Sequence, residues 1–484
     1  MSATDCLLIA LNYLPVALSL PHRLPSHCLL VASTAEGSLA AQRLVPAVCG
    51  ALMVPITFAT CCTMRLHPLA ALLCSWFVLI DPLWIGLSRL HLNDMVQMLF
   101  IALTHLFALP ACAPPPPPAG PPEAPSVQSP PLQTPFLALI ATGLSLGAAL
   151  QCKYAMALTT LAWLGLQNVL TLAHLVAVRR GAAALLKQMV IRGTLLLGLP
   201  LLLHLGLLAV HLHLLPNKGN GDGYMSEAFQ ATLVGNTHHA AAVAAGYAPP
   251  SFASLALEHL RTQFWYNRNM AILFPRGSHA FDTPWYTWPL AQRGVYFNLV
   301  KDWQALAASV SQPQAYGFFL HPHPYITLAT AALAVLAALS LLWRLACTLR
   351  PWPMAHQARA ATAGQLASAL RPGGAGSLVV AYLLHWLPYA TQQRQTFLFY
   401  YLPAYYFALL LSARIWHATA CAWLRAPVAL AATIALGLSA ARVALQLSPI
   451  AYGSAVHLDE WTAALRLAST ECWFGEPCWV DATK

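Results

Sequence analysis

The run Leu195-Leu196-Leu197-Gly198-Leu199-Pro200-Leu201-Leu202-Leu203 decides the fold. No polar side chain interrupts it. A membrane-spanning barrel strand must alternate apolar and polar residues, whereas a spanning helix needs about 20 mostly apolar residues in succession. The apolar character continues to Leu214, so the segment reads as a helix that crosses a bilayer. Working outward, comparable stretches recur at about 44–62, 68–87, 92–110, 136–150, 154–178, 324–343, 376–390, 396–413 and 426–447. The expected architecture is all-α, a polytopic transmembrane protein of about nine to eleven spans. Of the 484 residues 58% are hydrophobic and 8% are charged, where a soluble domain carries roughly 25% charged residues.

The formal charge of +10 does not point to nucleic acid, because Lys and Arg are scattered between apolar segments rather than gathered into a basic stripe. The positive-inside rule accounts for them instead. Arg179, Arg180, Lys187 and Arg192 fall in one expected inter-helix loop, Arg344, Arg350, Arg359 and Arg371 in a second, and Arg414 and Arg425 flank a third. These loops mark the cytosolic side. Counting spans from them puts the stretch 215–323, the link Gln392 to Gln395 and the C-terminal tail on the opposite side.

The chain therefore divides into an N-terminal segment 1–42, N-terminal transmembrane helices over 43–214, a large luminal loop at 215–323, C-terminal transmembrane helices over 324–447 and a luminal tail at 448–484. Within the first membrane region, 111–134 is a low-complexity link with the run Pro114 to Pro118, a composition that favours polyproline II and cannot pack a core. The large loop carries a helical piece at Phe252 to Tyr266, and loops of that length in a compact protein are usually functional. Most of the twelve cysteines lie in apolar runs, where free Cys acts as a small hydrophobe. Cys472 and Cys478 lie instead in the tail, whose compartment admits an oxidised bridge. The histidines His91, His204, His211 and His213 show no metal-ligand pattern beyond the spacing of the last two, and core or interface roles are the default.

Four cations fall at the non-cytosolic ends of their helices: Arg43, Arg89 in Ser88-Arg89-Leu90-His91-Leu92-Asn93-Asp94, Lys153 in Gln151-Cys152-Lys153-Tyr154, and Arg394 in Gln392-Gln393-Arg394-Gln395. That side is the unfavoured one for positive charge, so a compensating anion is implied. A phosphate headgroup suits guanidinium forks. The bland reading is that each cation snorkels to the interface, and Asp94 reads as a salt-bridge partner of Arg89.

Several segments resemble the dolichyl-phosphate-mannose protein O-mannosyltransferase family, GT-C class membrane glycosyltransferases. The strongest is Gly221-Asp222-Gly223-Tyr224-Met225-Ser226-Glu227-Ala228-Phe229-Gln230-Ala231-Thr232-Leu233-Val234-Gly235-Asn236. Next come Pro284-Trp285-Tyr286-Thr287-Trp288-Pro289-Leu290 with Arg293-Gly294-Val295, and His385-Trp386-Leu387-Pro388-Tyr389 through Arg394-Gln395 to Tyr400-Tyr401-Leu402-Pro403-Ala404. Weaker matches follow the same order, at Arg43 to Ala47 with Val54-Pro55, Ser88-Arg89 with Asp94, Gly147 with Lys153-Tyr154, and Ser448-Pro449 with Tyr452-Gly453. Two departures stand out. The interval from Asn236 to Glu258 is too short for the sugar-binding-like MIR module of many eukaryotic members, so the chain resembles MIR-less ones. The luminal Asp-Glu pair that follows the family's first span is not found before Arg43; the pair Asp459-Glu460 lies at the far end, and an N-terminally truncated chain is expected.

The resemblance implies a GT-C-like fold and inverting, metal-independent transfer of mannose from dolichyl phosphate mannose to Ser or Thr hydroxyls of secretory-pathway proteins, in the endoplasmic reticulum membrane. It also implies a homo- or heterodimer with a paralogue. Arg43 and Arg394, with Lys153, are expected to bind the lipid phosphate, with Arg89 and Asp94 as supports; Met225, Glu227, Gln230, Trp285 and Trp288 are expected to contact substrate. No catalytic acid is assigned. No metal or cofactor is expected, since no Asp-x-Asp cluster occurs. The alternatives are an inactive relative serving as a partner subunit, a GT-C enzyme using another lipid-phosphate sugar, and a secondary transporter, which would show mirrored halves that the sequence does not display.

Overall fold

The computed structural model describes residues 39–90, 92–113, 135–178, 181–246, 248–297, 314–315, 317–349, 356–454 and 456–473. Cys478, Arg179, Arg180, Arg350, His91 and most of the Pro-rich link lie outside the described residues, as does the N-terminal segment up to residue 38.

Fourteen helices carry the architecture described here. They are α1 (Leu39–Thr63), α2 (Pro68–Ile80), α3 (Pro82–Arg89), α4 (Asp94–Ala111), α5 (Phe136–Cys152), α6 (Tyr154–Ala177), α7 (Ala182–Gly193), α8 (Leu199–Leu214), α9 (Phe252–Leu273), α10 (Pro324–Leu349), α11 (Ala375–Trp386), α12 (Leu402–Ala418), α13 (Ala426–Tyr452) and α14 (Leu458–Ala468). Among the described residues seven helices are long and apolar enough to cross a membrane, or eight when α2 and α3 count as one bent span. The shorter α5 runs back beside α4, so that Asn93 Nδ2 donates to Cys152 O at 3.1 Å, and thereby reaches the depth at which α4 begins. The protein is a multi-pass membrane protein.

Local sequence explains the breaks. Asp81 ends α2 and caps α3, its carboxylate accepting from Leu83 N at 2.9 Å while Pro82 takes the first helical position, where a missing N–H costs nothing. The two helices meet at 52°. Asp81 is wholly buried and also accepts from His323 N and from Tyr405 Oη at 2.9 and 2.8 Å, so one carboxylate ties the bend to the start of α10 and to α12. Lys187 and Arg192, expected in a loop, lie on α7, which a π-helical turn at Thr194–Gly198 joins to α8. Arg192 remains possible inside this helix because its buried guanidinium is spread over Asn168 Oδ1, Ala111 O and Gln188 Oε1 at 2.8, 2.9 and 3.3 Å.

The core centres on α12, whose residues Leu402 to Leu411 are all buried, including Tyr405, Tyr406 and Phe407. Leucines of α8, α10 and α13 face outward, as lipid-facing helices require: Leu202, Leu336 and Leu438 are each more than half exposed. At the end of the bundle where α4 begins, the large loop builds two small antiparallel ladders. β1 (Val295–Phe297) and β3 (Phe318–Leu320) pair with Val295 opposite Leu320, and β2 (Gln314–Ala315) pairs with β4 (Val456–His457). A second core of Phe319, Leu447, Ile450, Trp461 and Leu465 seats α14 on this loop.

Candidate functional site

The cations gather where α1, α4 and α6 begin and α5 and α11 end. Lys153 sits between α5 and α6 and pairs with Asp94, the first residue of α4, at 2.5 Å. Asp94 is almost fully buried, while about a third of the Lys153 side chain remains exposed. Gln97, one turn along α4, donates to Lys153 O, which fixes the α5–α6 corner against α4. The ammonium also lies over the rings of Phe399 and Tyr400, 5.8 and 5.5 Å from their centroids.

Tyr400 links Lys153 to Arg394. The Arg394 guanidinium donates to Tyr400 Oη at 3.5 Å, and the Tyr400 ring stacks on Tyr389 with centroids 5.8 Å apart. Arg43 stands on α1 at the same end of the bundle: Gly50, two turns further on, faces Ser88 and Met95. Its Nε is buried and has no hydrogen-bond partner among the described residues. A buried donor without an acceptor is costly in a native protein. Lys153 and Arg394 are thus brought together on one aromatic wall, with Arg43 on the neighbouring helix.

Other expectations fare differently. Arg89 does not pair with Asp94; it closes α3, is exposed, and lies over Phe318 and Tyr452 at 5.7 and 5.2 Å, because Asp94 opens α4 facing α5 instead. Trp288 cannot touch a substrate, since it is wholly buried, donates to Thr283 Oγ1 at 2.9 Å and packs on Tyr389. Trp285 is half-buried against Trp386, whose indole donates to Trp285 O at 2.9 Å. Met225 and Gln230 close a small loop of their own, Gln230 Nε2 donating to Met225 O at 2.9 Å and Asn236 Nδ2 to Gln230 Oε1 at 3.3 Å. Glu227 is exposed in the turn that Ser226 caps. Glu258 on α9 anchors that turn by accepting from Ser226 N and Oγ at 2.6 and 2.9 Å, a role that sequence reading missed. Cys472 is disulfide-bonded, while Cys478 lies outside the described residues. Asp459 and Glu460 are exposed in the first turn of α14. Among the described residues no three His, Cys, Asp or Glu side chains converge as metal ligands.

Two family models match the chain. One family model, described as dolichyl-phosphate-mannose-protein mannosyltransferase, matches residues 32–216, and another, the C-terminal four-transmembrane region of protein-O-mannosyltransferase, matches 257–470. The chain belongs to the protein O-mannosyltransferase family. Among curated members, dolichyl-phosphate-mannose–protein mannosyltransferase 1 of Candida albicans is 30% identical over 196 residues, which is 40% of this chain and 21% of the relative. Protein O-mannosyl-transferase 2 of Drosophila melanogaster is 34% identical over 94 residues, 19% of this chain and 12% of the relative. The matched stretch thus spans about a fifth of the Candida protein's length. A solved S. cerevisiae protein O-mannosyltransferase Pmt1-Pmt2 complex bound to the sugar donor shares the fold, with a TM-score of 0.68 and 15% identity, over 87% of this chain and 79% of that one.

Proposed function

We propose that the protein transfers mannose from dolichyl phosphate mannose to Ser or Thr hydroxyls of proteins in the endoplasmic reticulum membrane, with inversion and without a metal. The carrying observation is the convergence of Lys153 and Arg394 on Tyr400, at the end of the bundle where Arg43 also stands, in a chain of this family. In the reaction the bond between mannose C1 and the phosphate oxygen breaks, and a bond forms from C1 to the acceptor hydroxyl oxygen. The hydroxyl proton passes to a general base. Dolichyl phosphate leaves as an anion, for which preorganised cations in a water-poor site supply the stabilisation.

Asp94 is not assigned as that base, because Lys153 neutralises it. Pairing with a second family member forms part of the proposal, supported by the solved neighbour being a Pmt1-Pmt2 complex. The test is reconstitution of the chain in lipid, alone and with a paralogue, with labelled dolichyl phosphate mannose and a Ser/Thr-rich peptide. Transfer that falls sharply with Arg394→Lys supports the reading. Transfer unchanged by that variant removes the phosphate role, and transfer that appears only when the paralogue is present and survives loss of Arg394 favours a partner subunit.

A further inference from the structure

Arg394 does not lie on a helix; it lies in the link between α11 and α12, following a 3₁₀ turn at Leu387–Thr391. A link of this kind holds a guanidinium in place only if something outside it fixes the backbone. The segment 274–283 of the large loop does so at three places. Pro275 and Arg394 form an antiparallel bridge, in which Arg276 N donates to Gln393 O at 3.3 Å and Gln395 N to Phe274 O at 3.0 Å. The Arg276 guanidinium donates to Tyr389 O at 2.8 Å, holding the start of the link. Thr283 N donates to Thr396 O at 2.8 Å, and Thr396 Oγ1 donates back to Thr283 O at 2.9 Å, holding its end.

One side chain joins these anchors. The Asp282 carboxylate accepts from Gly277 N with one oxygen, at 2.5 Å, and from Thr396 N with the other, at 2.6 Å. Gly277 has φ +79° in the turn Pro275-Arg276-Gly277-Ser278, closed by Ser278 N donating to Pro275 O at 3.2 Å, a turn type that calls for glycine at its third position. The carboxylate therefore ties the tip of the turn that pairs with Arg394 to the residue where the link rejoins the bundle. We propose that Asp282 is a positioning residue that, by bridging Gly277 and Thr396, holds Arg394 in register with Lys153 and Tyr400 to receive a phosphate group. This rests on the lipid-phosphate reading of the site. Asp282 itself touches no reacting atom.

Replacing Asp282 by Asn keeps the shape and turns one acceptor into a donor facing a backbone N–H, so a charge-assisted bond is lost and the link loosens at one anchor. The experiment measures binding of dolichyl phosphate to the full chain in nanodiscs for the wild type, D282N, R394Q and the double variant. The expected result is about tenfold weaker binding in D282N, with no further loss when D282N is added to R394Q. R276Q, which removes the other side-chain anchor, should behave like D282N and gives an independent reading if D282N does not fold. Unchanged binding in D282N, even with a lower unfolding temperature, overturns the proposal and leaves a structural role only. An equal loss with and without Arg394 also overturns it. Wild-type protein that fails to bind dolichyl phosphate overturns the lipid-phosphate reading itself, whereas binding that responds to R394Q but not to D282N sinks only the positioning role.

Discussion

Gly143→Ala should be among the most damaging single-methyl changes in the protein. A Cβ at Gly143 of α5 would lie 2.0 Å from Leu195 O and 3.2 Å from Leu195 C, in the π-helical turn between α7 and α8. That is roughly an ångström inside van der Waals contact, and the obstacle is backbone rather than a side chain that can swing away. Gly147, one turn on, is in the same position against Pro200 Cα and Leu203 Cδ2 at 3.1 and 2.9 Å, so the helices approach through a Gly-x-x-x-Gly face. Overpacking costs ~1–3 kcal/mol, and with backbone on both sides the upper end, about 3 kcal/mol, is expected. In a chain of this size that lowers the unfolding midpoint by roughly 3 °C. Gly165→Ala is the control, since nothing lies within 4 Å of a Cβ there, and a helical alanine leaves stability unchanged or slightly raised. The consequence reaches the site, because α5 ends at Cys152 and delivers Lys153 to Asp94. Thermal unfolding in detergent, read with dolichyl phosphate binding, decides the matter. A Gly143→Ala midpoint equal to wild type, or an equal loss in Gly165→Ala, refutes the close-approach argument.

Lys153→Met should cost about 2 kcal/mol, below the value for a fully buried pair because water reaches the ammonium, by leaving Asp94 buried and uncompensated. Adding Asp94→Asn should recover the unfolding midpoint but not the binding of lipid phosphate; recovery of both would make the pair merely structural. At the loop-bearing end, burial pushes the His321 imidazole down to about 4 against the pull of Pro322 O and Ala291 O, with His323 adding to the depression. A lowered folded value means the stability is present above about pH 6.5 and lost as pH falls from there towards about 4. The wild-type unfolding midpoint should therefore drop over that window, and His321→Gln should flatten the drop; an equally steep profile in the variant would assign the acid sensitivity elsewhere. Glu471→Gln should cost less than ~1 kcal/mol although Glu471 grips Arg293 through two bonds of 2.7 Å and raises the guanidinium's affinity for its proton, because both side chains are partly exposed to water. A larger loss in unfolding experiments would show that the tail clamps the loop more firmly than its exposure allows.

The spanning helices were legible because a bilayer imposes one rule on every one of them: long apolar runs with internally paired backbones. The runs at 44–62 and 324–343 fall inside α1 and α10 for that reason. The rule fails where polarity is locally satisfied. Arg192 reads as the edge of a loop, yet Asn168, Gln188 and Ala111 O let it sit inside a helix. The cations at the site were legible by type and position, but their pairing was not, since the four residues separating Arg89 from Asp94 give no sign that α3 turns its last side chain towards Phe318 and Tyr452. Trp288 was misread because an aromatic in a polar loop looks exposed, whereas folding of the loop onto Tyr389 and Tyr401 buries it. Asp81 carried a usable signal, an acid followed by proline in the middle of an apolar run. Asp282 carried none, since its partners are backbone N–H groups more than a hundred residues apart.

The two ends of the bundle hold their arginines differently, Arg192 being buried and Arg43 half-buried. Arg192 spends its donors on neutral acceptors from three different segments, the pattern of a cation kept to hold helices together. At the end that bears the large loop, the half-buried Arg43 finds no acceptor for its Nε among the described residues, and Asp94 is committed to Lys153. On the proposed reading of the site, a lipid phosphate arriving from the membrane would bring the charge and the oxygen atoms that complete Arg43. Fold stability should therefore depend on Arg192 and ligand binding on Arg43, two readouts that a common snorkelling role would not separate.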